Sequence, residues 1–139
     1  MEITQTFAMS SFFDSNILIY FIENDEEFGL LATQALAKAI DTNGAAFSVL
    51  ALTELLSHKQ TPAQLKKLAH LERVVQFIDV SREVARRAGG LRATHPTLRT
   101  PDAIHLATAL VCKASRFITN DVALAKTAKS ITKITRLLQ

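Results

Sequence analysis

Hydrophobic positions along the chain follow two alternating periods. Short apolar runs bounded by polar residues read as buried strands: Phe12-Phe13, Ala45-Ala46-Phe47-Ser48, the β-branched Val74-Val75-Gln76-Phe77-Ile78, and Arg116-Phe117-Ile118-Thr119. Lys133 to Leu137 reads as a terminal edge strand. Between these runs the apolar residues recur at helical spacing. Ser15 and Asn16 start a helix that runs to about Glu23. A second helix opens on the acids Asp25-Glu26-Glu27, carries Leu30, Leu31, Ala35, Ala39 and Ile40, and stops at Thr42-Asn43-Gly44. Ser48 caps a third, Val49 to about Ser57, and Thr61-Pro62 starts a fourth. Arg82 to about Arg92 is a basic helix that Gly89-Gly90 weakens or bends. After a loop from Thr94 to Arg99, Thr100-Pro101-Asp102 gives an N-cap, a proline and an acid in succession, a strong helix start. Asn120-Asp121 opens a last helix to about Lys129.

Strands thus alternate with helices. That pattern predicts an α/β domain with a mostly parallel sheet of four to five strands and helices on both faces. The 139 residues suit one domain with its own core. It is expected over residues 12–139, behind an N-terminal tail of residues 1–11. Ile17 to Ile22 is too short to span a bilayer before Glu23-Asn24-Asp25-Glu26-Glu27 follows. Met1-Glu2 lacks the basic start of a signal peptide. The single cysteine, Cys112, forms no disulfide within the chain and sits at core spacing beside Ala109, Leu110 and Val111. A cytoplasmic protein is expected.

Charge adds a partner to this picture. Residues 1–57 hold eight acids against one base, Lys38, while residues 58–139 hold fifteen bases against five acids. A basic half suits a polyanion such as nucleic acid, although a solvated surface accounts equally well for scattered Lys and Arg.

Four acids carry the candidate chemistry. Asp14 follows the first strand, Glu54 lies on the helix after the second, Asp102 opens the helix before the fourth, and Asp121 follows the fourth. Each has a local explanation as a turn, cap or surface residue. In an open parallel sheet, however, strand ends converge on the edge where ligands bind. Carboxylates gathered there repel one another and call for a cation. Mg²⁺ or Mn²⁺ suits oxygen ligands and phosphodiester hydrolysis. The four histidines, 58, 70, 95 and 105, form no evident transition-metal set and read as structural or surface residues. No phosphate-binding glycine motif is present. Asp14 as the nucleophile of an aspartyl-phosphate phosphatase is a rival reading, weakened by Asn16 where a second acid is wanted. A non-catalytic adaptor that binds a partner through apolar helices is another.

Phe13-Asp14-Ser15-Asn16-Ile17-Leu18-Ile19-Tyr20, Thr53-Glu54-Leu55, Arg99-Thr100-Pro101-Asp102-Ala103-Ile104-His105-Leu106-Ala107-Thr108-Ala109 and Phe117-Ile118-Thr119-Asn120-Asp121 resemble, in order, the four acidic motifs of PIN-domain ribonucleases. The VapC-type toxins of toxin–antitoxin pairs are the most similar group. The resemblance implies a PIN fold, an endoribonuclease dependent on Mg²⁺ or Mn²⁺, a homodimer and a cognate antitoxin. It makes Asp14, Glu54 and Asp102 the core metal ligands and Asp121 the fourth acid. Asn16 and Thr119 would orient those carboxylates. A PIN-fold RNA-processing nuclease without a toxin role is the nearest alternative. Arg82, Arg86 and Arg99, with Arg87 and Arg92, are candidate RNA phosphate contacts. Ile17–Ile22 and Val49–Leu56 are candidate helical surfaces for the antitoxin and the second protomer.

Overall fold

The computed structural model describes residues 10–138. Five strands form one sheet: β1 (Ser11–Phe13), β2 (Ala45–Ser48), β3 (Gln76–Ile78), β4 (Arg116–Thr119) and β5 (Thr135–Leu137). Their spatial order is β3-β2-β1-β4-β5, and every neighbouring pair is parallel. Of the tail expected over residues 1–11, residues 1–9 lie outside the described residues. Ser10 and Ser11 are buried, and Ser11 already belongs to β1.

Consecutive strand residues point to opposite faces, and each face has its own core. Phe13 and Phe47 face α1 (Ser15–Glu23), α2 (Gly29–Asp41), α3 (Leu50–Leu56) and α4 (Pro62–Leu71). Phe12, Ala46 and Phe117 face α5 (Arg82–Thr94), α6 (Thr100–Val111) and α7 (Val122–Ile131). Phenylalanine rings knit neighbouring strands: Phe13 to Phe47 at 5.7 Å, Phe47 to Phe77 at 5.4 Å, and Phe12 to Phe117 at 6.2 Å between centroids. This packing explains how strands of only three or four residues persist at the centre of the domain.

Connectivity decides where a site can form. The chain builds outward from β1 through β2 to β3, then crosses to the other side of β1 for β4 and β5. The strand order therefore reverses between β1 and β4. At such a point the two adjoining connections run to opposite faces and leave a crevice at the carboxyl ends of the strands.

Several elements depart from their expected forms. Asp25 does not begin a helix. Its carboxylate accepts the N–H groups of Glu27 and Phe28, which closes a turn, and α2 starts at Gly29. Gly89-Gly90 does not interrupt α5, because Val84, Ala88 and Leu91 seat one face of that helix in the core and outweigh the glycine penalty. Arg99, not Thr100, is the N-cap of α6, and no side chain accepts there. Part of the apolar surface expected to be surplus is absorbed, while Ile19, Tyr20, Phe21, Val49, Leu50 and Leu52 stay half-buried. Ile17, Leu18, Ile22, Ala51 and Leu55 are buried in the chain's own core, Leu56 is exposed as expected, and Leu30, Leu65 and Val74 are exposed outside those stretches.

Candidate active site

Asp14 sits where β1 ends. Its N–H still bonds to the carbonyl of Ile118 on β4, 2.9 Å away, so the backbone is held by the sheet. Its extended conformation makes it the N-cap of α1, with Oδ1 accepting the Ser15 N–H at 2.8 Å. Across the crevice the Thr119 hydroxyl donates to Oδ2 at 2.7 Å. Thr119 Oγ1 in turn accepts the Asp121 N–H at 3.1 Å and lies 3.5 Å from the Asn16 amide nitrogen. One hydroxyl thus spends its proton on Asp14 and its lone pairs on the neighbouring segments. Asp121 caps α7 by accepting the Leu124 N–H. Asp102 stands in the first turn of α6, where a helix N-terminus favours negative charge.

Glu54 reaches the same centre through His105. The imidazole Nε2 lies 2.7 Å from Glu54 Oε1 and 3.9 Å from Asp14 Oδ1. The His105 side chain is 1% exposed, while that of Glu54 is 33% exposed. His105 is therefore no surface residue: it is buried between two of the candidate acids. The signal lay in its spacing: three residues after Asp102 on one helix, it shares that residue's face.

Burial and neighbouring charges shift three of the four acids and His105. Burial raises the pKa of Asp14, opposed by His105 and the two hydrogen bonds and reinforced by Asp102. Burial likewise raises that of Asp102, with Arg99 opposing and Asp121 adding to the rise. The His105 hydrogen bond lowers the pKa of Glu54 against the effect of burial. Burial disfavours the imidazolium of His105, but the bond to Glu54 and the charges of Asp14, Glu54 and Asp102 outweigh it and raise its pKa.

Asp14, Asp102 and Asp121 are thus electrostatic neighbours in succession, and His105 links Glu54 to Asp14 and Asp102. Among the described residues, however, no group of three or more His, Cys, Asp or Glu side chains stands close enough together to hold a metal ion as placed. The donor set still fits a hard divalent cation. It offers carboxylate oxygens at the open edge, and burial raises the pKa of two of those carboxyls, Asp14 and Asp102. Beside Asp102 and Asp121 a cleft of about 210 Å³ opens between the Thr97–Arg99 loop and α7, lined also by Leu98, Leu124 and Thr127.

The candidate arginines divide. Arg99 borders the acids, with Nε 3.4 Å from Asp102 Oδ2 and a side chain 75% exposed. Arg82, Arg86 and Arg87 are exposed on α5. Arg92 donates from Nε to the Leu98 carbonyl and so braces the loop that walls the cleft.

A family model described as "PIN domain" matches residues 11–130. The chain belongs to the PIN domain family. Two solved structures are similar to this PIN domain. A chain of a toxin–antitoxin complex from Klebsiella pneumoniae is 28% identical, with 81% of this chain and 87% of that one covered and a TM-score of 0.67. A chain of VapBC2 from Rickettsia felis, in a crystal structure bound to a DNA fragment from the promoter, is 21% identical. The match covers 94% of this chain and all of that one with a TM-score of 0.74, and it speaks for the PIN fold alone. No curated protein matches the chain.

Proposed function

We propose that this PIN domain is a divalent-metal-dependent endoribonuclease and the toxin of a toxin–antitoxin pair. The observation that carries the reading is the meeting of Asp14, Glu54, Asp102 and Asp121 around one crevice in a chain of the PIN family. The similarity to a toxin–antitoxin complex supports the toxin assignment and the antitoxin partner.

Asp14, Glu54 and Asp102 would hold the cation, Mg²⁺ or Mn²⁺, with Asp121 as the fourth acid. When bound, the cation supplies charge neutralisation at a phosphoryl group and lowers the pKa of water. The chain itself does the positioning. Thr119 and the Ser15 N–H fix both oxygens of Asp14, so that carboxylate cannot rotate. Arg99 and the exposed Arg82 and Arg86 offer charge to the RNA backbone. The cleft beside Asp102 leaves room for a nucleotide next to the scissile bond.

An antitoxin and a second protomer both need exposed apolar surface. Leu30, Leu56, Leu65 and Val74 supply it, and Val74 also lines a cleft of about 350 Å³ with Phe21, Leu36, Ile40 and Leu71. Among the described residues no helix is long and apolar enough to cross a membrane, and action on cytoplasmic RNA is part of the same proposal.

The test is cleavage of a mixed pool of structured RNAs with Mn²⁺ or Mg²⁺, and with EDTA, by the wild type and its Asp102→Asn variant. Discrete products that require both the metal and Asp102 support the nuclease. Products that persist in EDTA, or that Asp102→Asn makes equally well, refute it.

A further inference from the structure

His105 is the one member of the cluster that carries no carboxylate and has no place among the proposed metal ligands. A histidine buried purely for packing satisfies both ring nitrogens. Here only one is used. Nε2 bonds to Glu54 Oε1, while Nδ1 is buried with no hydrogen-bond partner. Glu54 is acceptor-only when ionised, so the imidazole must donate from Nε2. In the tautomer protonated at Nε2, Nδ1 is a bare lone pair rather than a stranded N–H. The ring is therefore arranged for the acids, at the expense of its other nitrogen.

The two partners also differ in exposure. His105 lies on the second turn of α6 between Ile104 and Leu106, in a helix whose buried face is clamped against the sheet. Glu54 projects from the seven-residue α3 and is partly open to solvent. A buried group thus holds a partly exposed one. The same nitrogen stands 3.9 Å from Asp14 Oδ1, so it grips Glu54 next to the innermost acid.

We propose that His105 is the positioning residue of the acidic centre. Its Nε2–H anchors one oxygen of Glu54 beside Asp14, holds the carboxylate inward, and thereby sets how tightly the centre takes a divalent cation. This rests on the metal-dependent reading above and adds to it a residue that acts through Glu54 rather than on the cation. Outer partners of this kind typically contribute about ten- to a hundredfold to metal affinity.

Mn²⁺ alone is the probe, titrated into the full chain by calorimetry and by the loss of the free-ion electron paramagnetic resonance signal. His105→Leu keeps the volume and removes the donor, and His105→Gln keeps a donor. Each is also made on a Glu54→Gln background, and unfolding midpoints are recorded in EDTA. The expected result is about tenfold or more weaker Mn²⁺ binding in His105→Leu, with partial recovery in His105→Gln. No further loss is expected when His105→Leu is added to Glu54→Gln, because the route through Glu54 is already gone. A purely structural histidine gives another pattern, with additive losses on both backgrounds that track the unfolding midpoints and show no rescue by glutamine. That pattern, or unchanged binding in His105→Leu, overturns the proposal. Absence of Mn²⁺ binding in the wild type overturns instead the metal-dependent function beneath it.

Discussion

Thr119 holds Asp14 across the crevice between β4 and β1, with Oγ1 2.7 Å from Oδ2. The bond joins residues far apart in the chain at the point where the sheet reverses its order, and it is shielded from solvent at both ends. Thr119→Val keeps the shape and removes the hydroxyl. It leaves a buried carboxylate oxygen and the Asp121 N–H without that partner, which costs about 1–3 kcal/mol. Denaturant titration should show this loss in valine and recovery in Thr119→Ser. An unchanged midpoint in valine would show that the bond contributes nothing net.

Asp14→Asn should separate activity from stability. RNA cleavage falls by at least about a hundredfold, as expected when a proposed ligand of the catalytic cation is lost. The fold gains, because burial already disfavours the charge on this residue. At neutral pH the variant should unfold later than the wild type, by about 0.5–2 kcal/mol, as single favourable replacements do. Cleavage at the wild-type rate would remove Asp14 from the site.

The raised pKa values of Asp14 and Asp102 set a pH dependence. For an acid whose folded pKa exceeds its unfolded value, the folded state binds the proton more tightly. Stability from these two groups is therefore fully present below the ordinary carboxylate range and declines as pH rises through the raised values. Metal-free protein should lose this contribution on going from acid to neutral pH. Other groups with shifted values, Glu23 and Glu54 among them, slope the opposite way. The comparison is therefore between the wild type and the Asp14→Asn, Asp102→Asn double variant, whose difference should grow with pH.

Mn²⁺ should reverse that loss. At a free concentration a hundredfold above its dissociation constant, a ligand that binds only the folded state adds about 2.7 kcal/mol. Thermal unfolding at neutral pH should shift upward with Mn²⁺ and return with EDTA, and the shift should shrink in Asp102→Asn. At a pH low enough to protonate the acids it should vanish. An equal shift at both pH values would place the ion elsewhere.

Gly89 and Gly90 offer a change remote from the acids. Both are exposed within the unbroken α5, and a Cβ at either position meets nothing within 4 Å. Alanine at each should add about 0.5–1 kcal/mol. Unfolding curves of the two single variants test this, and a loss would mean that the glycines serve a contact made with a partner.

Much of this architecture is legible in the sequence because local signals and burial agree. Ser11–Phe13, Ala45–Ser48 and Arg116–Thr119 combine apolar residues with polar punctuation, and Thr61-Pro62 with Gln64 forms a full capping box. Where local and tertiary forces diverge, the sequence misleads. Gly89-Gly90 looks like a break until Ala88 and Leu91 are seen in the core. Asp25 looks like helical charge until its carboxylate closes a turn. Four acids could be picked out because connectivity carries strand ends to one edge. His105 could not be singled out by type, since its role depends on a contact with Glu54 from another helix. Which apolar residues of α1 stay at the surface is hidden for a similar reason: Ile17 and Leu18 are buried while Ile19, Tyr20 and Phe21 are half-buried, and only packing shows that.

Asp14 and Asp121 each cap a helix as well as border the crevice. Asparagine caps a helix about as well as aspartate. A single change of carboxylate to amide therefore silences either residue without removing the cap that its helix needs. If the proposed function holds, one such step would turn a nuclease into a folded, inert protein, so that loss of chemistry and loss of shape would be separate events within this fold.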